Sequence, residues 1–252
     1  LCGVHDYLLG ILLRSGGICG KLAPLSMNEP FPDALFRQVH SSGVVATLVL
    51  EDLDHALPLA AALAAGGVTV LELTLRTPVA LEAIRTIRRE MPGILVGAGT
   101  VLSPAQVGEC MEAGAAFGVA PGMNPRVVRE ARTSGLPFAP GVCTPSDIEQ
   151  ALENDCKLLK FFPSEPSGGL PYLRSIAAPY RHLGVRFLPL GGIDAGNAAA
   201  YLADPLVPAL GGSWLAPPKL LNAGNWQAVT ALAQEATALV AEARGIAGAV
   251  TA

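Results

Sequence analysis

From about residue 44 the chain alternates between short apolar runs and longer stretches in which Ala and Leu recur at helical spacing. A glycine often closes each repeat. The apolar runs predict eight strands, over 44–50, 68–73, 94–98, 117–120, 137–139, 157–161, 185–189 and 206–210. The stretches between predict helices that include 54–65, 78–90, 104–113, 125–134, 145–153 and 195–203, and 221–246 reads as a closing helix. Thr77-Pro78, Ser103-Pro104 and Thr144-Pro145 have the form of an N-cap hydroxyl followed by proline at the first helical position. Ala65-Gly66-Gly67 and Ala113-Gly114 have the form of helix stops.

Strands alternating with helices imply parallel βα units. Eight units in roughly 210 residues suit a closed (β/α)8 TIM barrel of one domain better than an open doubly wound sheet. The expected division is an N-terminal extension over 1–30, the barrel over 31–246 and a short tail over 247–252. The apolar segment Tyr7-Leu8-Leu9-Gly10-Ile11-Leu12-Leu13 lacks a basic stretch before it, so it makes a poor signal peptide. Met27 is an alternative start.

Composition narrows the partners. Hydrophobic residues make up 51% and charged residues 15%, enough apolar material for a sizeable core. A net charge of -4 without a basic cluster argues against nucleic acid. No run approaches the ~20 apolar residues of a membrane helix. Cys2, Cys19, Cys110, Cys143 and Cys156 are scattered and odd in number, without C-x-x-C, which points away from a disulfide framework or zinc site and toward a reducing compartment.

Barrel sites lie at the C-terminal strand ends. There the sequence places Glu72-Leu73-Thr74-Leu75-Arg76, Gly97-Ala98-Gly99-Thr100, Ala120-Pro121-Gly122, Lys160, Gly191-Gly192 and Gly211-Gly212-Ser213. Lys160 stands out because it interrupts the apolar run Leu158-Leu159-Lys160-Phe161-Phe162. If Leu159 and Phe161 face the helices, strand alternation turns Lys160 inward. A dry amine loses its proton more readily and can form a Schiff base with a carbonyl compound. Otherwise the side chain snorkels to water. Glu72, also in an apolar strand, would pair with Lys160 or move protons for it. Arg76 offers a planar fork to a carboxylate, or is simply solvated. Thr100 would donate to the same carboxylate or cap the next helix. Gly191-Gly192 and Gly211-Gly212-Ser213 follow the last two strands, where backbone N–H groups often cradle phosphate, although glycine pairs also make plain turns. Gly97-x-Gly99 continues to Leu102 and so lacks the third glycine of a dinucleotide fingerprint. No His/Asp/Glu grouping has metal-ligand spacing, so neither metal nor cofactor is expected.

Taken together, Glu72-Leu-Thr-Leu-Arg76-Thr-Pro, Gly97-Ala-Gly-Thr100, Pro121-Gly122, Lys160-Phe-Phe-Pro163-x-Glu165 with Gly168-Gly169, Gly191-Gly192-Ile193 and Gly211-Gly212-Ser213-Trp214-Leu215 resemble the bacterial 2-keto-3-deoxy-6-phosphogluconate (KDPG) aldolases. Members often also cleave 4-hydroxy-2-oxoglutarate. The resemblance runs from about residue 35 to about 240. It implies a metal-free class I aldolase on a (β/α)8 barrel, a cytoplasmic homotrimer of the Entner–Doudoroff pathway acting on a phosphorylated 2-keto-3-deoxy sugar acid. Carried over by motif, Lys160 is the Schiff-base lysine and Glu72 the proton shuttle. Arg76, Thr100 and Pro121 line the pyruvate part with Phe162 beside them, and Gly191, Gly192 and Ser213 hold the phosphate. One departure concerns the site: Leu190 stands where the family usually has threonine before Gly-Gly-Ile. The alternatives are an aldolase for the 4-epimeric galactonate substrate and a non-catalytic phosphosugar-binding barrel.

Overall fold

Nine short parallel strands form two curled sheets in the computed structural model, which describes residues 31–246. The expected extension over 1–30 and tail over 247–252 lie outside the described residues. The strands are β1 (Val44–Leu48), β2 (Val70–Thr74), β3 (Leu95–Gly99), β4 (Gly118–Val119), β5 (Phe138–Ala139), β6 (Gly141–Val142), β7 (Leu158–Phe161), β8 (Arg186–Pro189) and β9 (Leu210–Gly212). One sheet runs β5-β4-β3-β2-β1-β9 and the other β6-β7-β8. This is an α/β fold with a curled parallel sheet. Nine strands stand against the expected eight: Pro140, which has no N–H to donate, separates β5 in one sheet from β6 in the other. The strand expected over 206–210 begins later. Pro205 and Pro208 interrupt the donors there, and the Leu206 N–H is taken by the Asp204 carboxylate at 2.9 Å.

The helices are α1 (Asp33–Ser42), α2 (Ala56–Ala65), α3 (Ala80–Glu90), α4 (Pro104–Glu112), α5 (Pro125–Ser134), α6 (Pro145–Glu153), α7 (Gly169–Ala177), α8 (Ala198–Leu202), α9 (Pro218–Asn222) and α10 (Trp226–Ala243). Two of the three expected caps form as full capping boxes, Ser103 with Gln106 and Thr144 with Asp147. Such a cap stabilises a helix by roughly 1 kcal/mol. The third does not form: the Thr77 hydroxyl donates to the Leu50 carbonyl at 2.6 Å, and α3 begins only at Ala80. The closing helix expected over 221–246 is divided between α9 and α10, with Asn225 as the N-cap of α10.

Period-2 alternation separates two cores. Leu71, Leu73, Leu159, Phe161 and Phe187 point outward against the helices, as α3 shows with Ala80, Ala83, Ile84 and Ile87 buried along one face. Each such isoleucine contributes roughly 1.5–3 kcal/mol on burial. Val45, Val70, Phe117, Val119, Leu158, Leu188 and Ala209 point inward and form a second cluster with Val39 of α1. Phe31, Leu35 and Phe36 pack against it, so α1 floors the space enclosed by the strands. Among the described residues no helix is long and apolar enough to cross a membrane.

Candidate active site

β2 and β7 each contribute one charged side chain to the otherwise apolar interior. Glu72 lies between Leu71 and Leu73, and Lys160 between Leu159 and Phe161, so alternation sends both inward while their neighbours face the helices. Glu72 is 2% exposed and Lys160 5%. The Lys160 ammonium donates to Glu72 Oε1 at 2.9 Å. A buried pair of this kind adds little net stability, since desolvation offsets the attraction. The narrow cavity beside it is lined by Val45, Val119, Leu188, Leu190 and Gly211.

Two neighbours that sequence reasoning did not single out hold the carboxylate in place. Thr47 of β1 sits opposite Glu72 in the parallel register, and its hydroxyl donates to Glu72 Oε2 at 3.4 Å. Lys160 and Thr47 therefore engage different carboxylate oxygens. Gly99 of β3 leaves the room that the carboxylate fills, because a Cβ there would stand 2.1 Å from Glu72 Oε1. Thr47 could have been found in the sequence as the single hydroxyl in an apolar strand. The need for glycine at 99 is invisible without the neighbouring strand.

The remaining expected residues form a rim above the pair. Arg76 is exposed, and its Nε donates to the Thr74 hydroxyl at 3.2 Å; that hydroxyl in turn donates to the Leu48 carbonyl at 3.0 Å. The Arg76 fork is thereby tethered at its base with its outer nitrogens toward solvent. Thr100, half-buried after β3, has φ +60°. A β-branched residue in the left-handed region costs on the order of 1–3 kcal/mol, strain of a kind that clusters at functional sites. Pro121 follows β4 and Ser213 follows β9. Neither they nor Thr100 make a side-chain hydrogen bond to the Lys160–Glu72 pair.

Phe162 lies between the two parts of the rim. Its ring centroid is 5.6 Å from the Lys160 nitrogen, and its edge faces Gly191, where a Cβ would come within 3.2 Å. Gly191 and Gly192 turn after β8 with φ +94° and +79°. Gly211 and Gly212 differ from expectation: they belong to β9 itself, paired in register with Val45 and Ala46, and only Ser213 is exposed beyond them. Leu190 is buried, and its side chain fills the space beside Gly211. Among the described residues no group of three or more His, Cys, Asp or Glu side chains is placed to hold a metal ion.

Comparison with known proteins gives this arrangement a family. Residues 36–232 match the family described as Aldolase: KDPG and KHG aldolase. The chain is 46% identical over 193 residues to the KHG/KDPG aldolase of Escherichia coli K12, an alignment that covers 77% of this chain and 90% of that one. It is 44% identical over 206 residues to the 2-dehydro-3-deoxy-phosphogluconate aldolase of Treponema pallidum, covering 82% and 97%. Among solved structures, the KDPG aldolase of Legionella pneumophila, with pyruvate captured at low pH as a covalent carbinolamine intermediate, matches with a TM-score of 0.75 at 38% identity, covering 78% of this chain and 95% of that one. The Zymomonas mobilis ZM4 enzyme with 3-phosphoglycerate matches with a TM-score of 0.75 at 42% identity, covering 81% and 95%. With a strand-borne lysine and carboxylate at its centre and these likenesses along most of its length, the chain belongs to the KDPG and KHG aldolase family.

Proposed function

We propose that this protein is a class I aldolase that cleaves 2-dehydro-3-deoxy-6-phospho-D-gluconate to pyruvate and D-glyceraldehyde 3-phosphate, with 4-hydroxy-2-oxoglutarate as a second substrate. The observation that carries this reading is the Lys160–Glu72 contact of 2.9 Å between two buried side chains. In the proposed reaction the Lys160 amine, once deprotonated, adds to the C2 ketone. Glu72 supplies the proton with which the carbinolamine loses water, leaving an iminium ion. The Glu72 carboxylate then takes the C4 hydroxyl proton, and the C3–C4 bond breaks with its electron pair moving into the iminium. The aldehyde departs, Glu72 returns its proton to C3 of the enamine, and water hydrolyses the imine to free pyruvate and the Lys160 amine.

Arg76 and Thr100 are assigned to the substrate carboxylate, with Pro121 and Phe162 along the pyruvate part. The tether of Arg76 to Thr74 supports its place, since it leaves the outer guanidinium nitrogens for a carboxylate. Gly191, Gly192 and Ser213 are assigned to the phosphate. Support comes from the left-handed turn and from the absence of side chains that would block backbone N–H groups. The two sheets are read as one closed barrel of eight βα units, with β5 and β6 as one bent strand. The Phe187 N–H donating to the Leu206 carbonyl at 2.8 Å near the other seam supports closure. One domain over 31–246, a homotrimer and a cytoplasmic place in the Entner–Doudoroff route rest on the family likeness.

The test is incubation with pyruvate and borohydride. One reduced pyruvate unit should appear on the peptide containing Lys160 and be absent from Lys160→Ala. Labelling elsewhere, or none, would overturn the reading.

A further inference from the structure

The motif that introduced Lys160 also contains Glu165, to which the proposed reaction assigns nothing. Glu165 opens the turn after β7, and its carboxylate accepts a hydrogen bond from the Tyr201 phenol of α8. Tyr201 is 2% exposed, and its oxygen lies 2.8 Å from the hydroxyl of Ser164, which is fully buried. A phenol has one proton. Given to Glu165, it obliges the Ser164 hydroxyl to donate to the phenol oxygen, so the order is Ser164 to Tyr201 to Glu165. Burial, and next the Glu165 carboxylate, push the phenol up to about 12, which keeps Tyr201 a donor.

The two residues that Tyr201 holds also join the β7 loop to the turn after β8. The Ser164 N–H donates to the Leu190 carbonyl at 2.7 Å, and the Glu165 N–H to the Gly191 carbonyl at 2.9 Å. The Glu165 side chain then passes over Gly192 so closely that a Cβ on Gly192 would lie 2.6 Å from its Cβ. One buried phenol thus grips both side chains whose peptide groups are fastened to residues 190 and 191.

We propose that Tyr201 is a positioning residue for the phosphate end of the site: through Ser164 and Glu165 it holds the Gly191–Gly192 turn with its N–H groups open to an anion. This rests on the phosphate assignment made above. Tyr201 touches no reacting atom, and Arg76, Thr100 and Pro121, assigned to the pyruvate end, follow β2, β3 and β4.

The experiment is a cycle of Tyr201→Phe, Glu165→Ala and the double variant, with Glu165→Gln as the conservative replacement. Values of kcat and KM are measured for 2-dehydro-3-deoxy-6-phospho-D-gluconate and for unphosphorylated 4-hydroxy-2-oxoglutarate. Loss of one such hydrogen bond should lower kcat/KM for the phosphorylated substrate about tenfold, through KM, and leave the other within about twofold. The double variant should be no worse than either single one, and Glu165→Gln should stay near the parent because it keeps an acceptor oxygen. Equal losses on both substrates, no loss on either, or losses that multiply would overturn the proposal. A gain in Glu165→Ala would do so too, since it would mean that the carboxylate only repels the phosphate. Glu165 is exposed, so its variants decide the matter even where Tyr201→Phe folds poorly. If the parent takes no borohydride label at Lys160, the proposed function fails and takes this inference with it. If the label is present and only the substrate contrast is missing, the inference alone fails.

Discussion

The centre of this molecule and its rim are built on opposite plans. At the centre, two charged side chains stand in an apolar enclosure and neighbouring groups shape one of them: Lys160 and Thr47 on separate oxygens of Glu72, and the missing side chain of Gly99 beneath them. At the β8–β9 rim the notable feature is side chains withheld, with Gly191 and Gly192 in left-handed backbone and Gly211 and Gly212 in the strand itself. On the proposed function, the contrast follows from what each place has to do. Moving a proton from the C4 hydroxyl and on to C3 requires a titratable group held at one distance. Holding a phosphate monoester, with its nearly two negative charges, requires several donors that cost no entropy to order, and backbone N–H groups already fixed by a turn supply them.

Three substitutions would break or sharpen that contrast. The largest effect is expected from Gly99→Ala. The added methyl would displace the Glu72 carboxylate, so kcat should fall on the order of a hundredfold or more, the usual worth of a positioned acid–base group. The loss should be the same on phosphorylated and unphosphorylated substrates. Steady-state kinetics on both measures it, and a loss confined to one substrate would show that the centre is not shared. Next comes Gly192→Ala. Its φ of +79° and the Cβ of Glu165 both oppose a side chain, and displacement of the turn should lower kcat/KM for the phosphorylated substrate roughly tenfold while leaving 4-hydroxy-2-oxoglutarate nearly unchanged. Equal losses would make the turn a fold element without a phosphate. The smallest is Thr47→Val, which removes one long hydrogen bond and keeps the shape. A three- to tenfold lower kcat is expected on both substrates, about the worth of a single hydrogen bond, with recovery in Thr47→Ser. A rate unchanged in Thr47→Val would mean that Lys160 and Gly99 alone hold the carboxylate.

Much of this arrangement could be read before any coordinates, and the reason is local. The break that Lys160 makes in an apolar strand, the caps at Ser103 and Thr144, and the period of most strands depend on residues within a few positions of one another. What could not be read depends on distant ones. Helix α1 escaped because nothing nearby shows that Val39 is buried; it is buried by the inner faces of strands that follow it. Helix α7 escaped because it opens with Gly169 and contains Pro171, which is tolerated only because it falls in the first turn, where no N–H is required. Thr77 has the sequence form of a cap, and its hydroxyl instead reaches the carbonyl of Leu50 on another unit. The glycines of β9 read as a turn in sequence because Val45 and Ala46, which pair with them, are far away along the chain. The roles of Gly99 and Tyr201 are of the same kind.

The floor made by α1 has a kinetic consequence. Phe31, Leu35, Phe36 and Val39 close the enclosure from below together with Phe117 and Leu188. Among the described residues this apolar floor opposes entry of water from the α1 side, and in the proposed function water and substrate share the opposite side, at the strand ends. The proposed reaction needs water twice, as a departing molecule when the imine forms and as an arriving one when it is hydrolysed. In the proposed reaction the aldehyde fragment, while it sits on that side, stands in the way of the second water. Product departure in that reaction is then ordered by shared access: the aldehyde leaves first, and pyruvate stays bound to Lys160 until the way is clear.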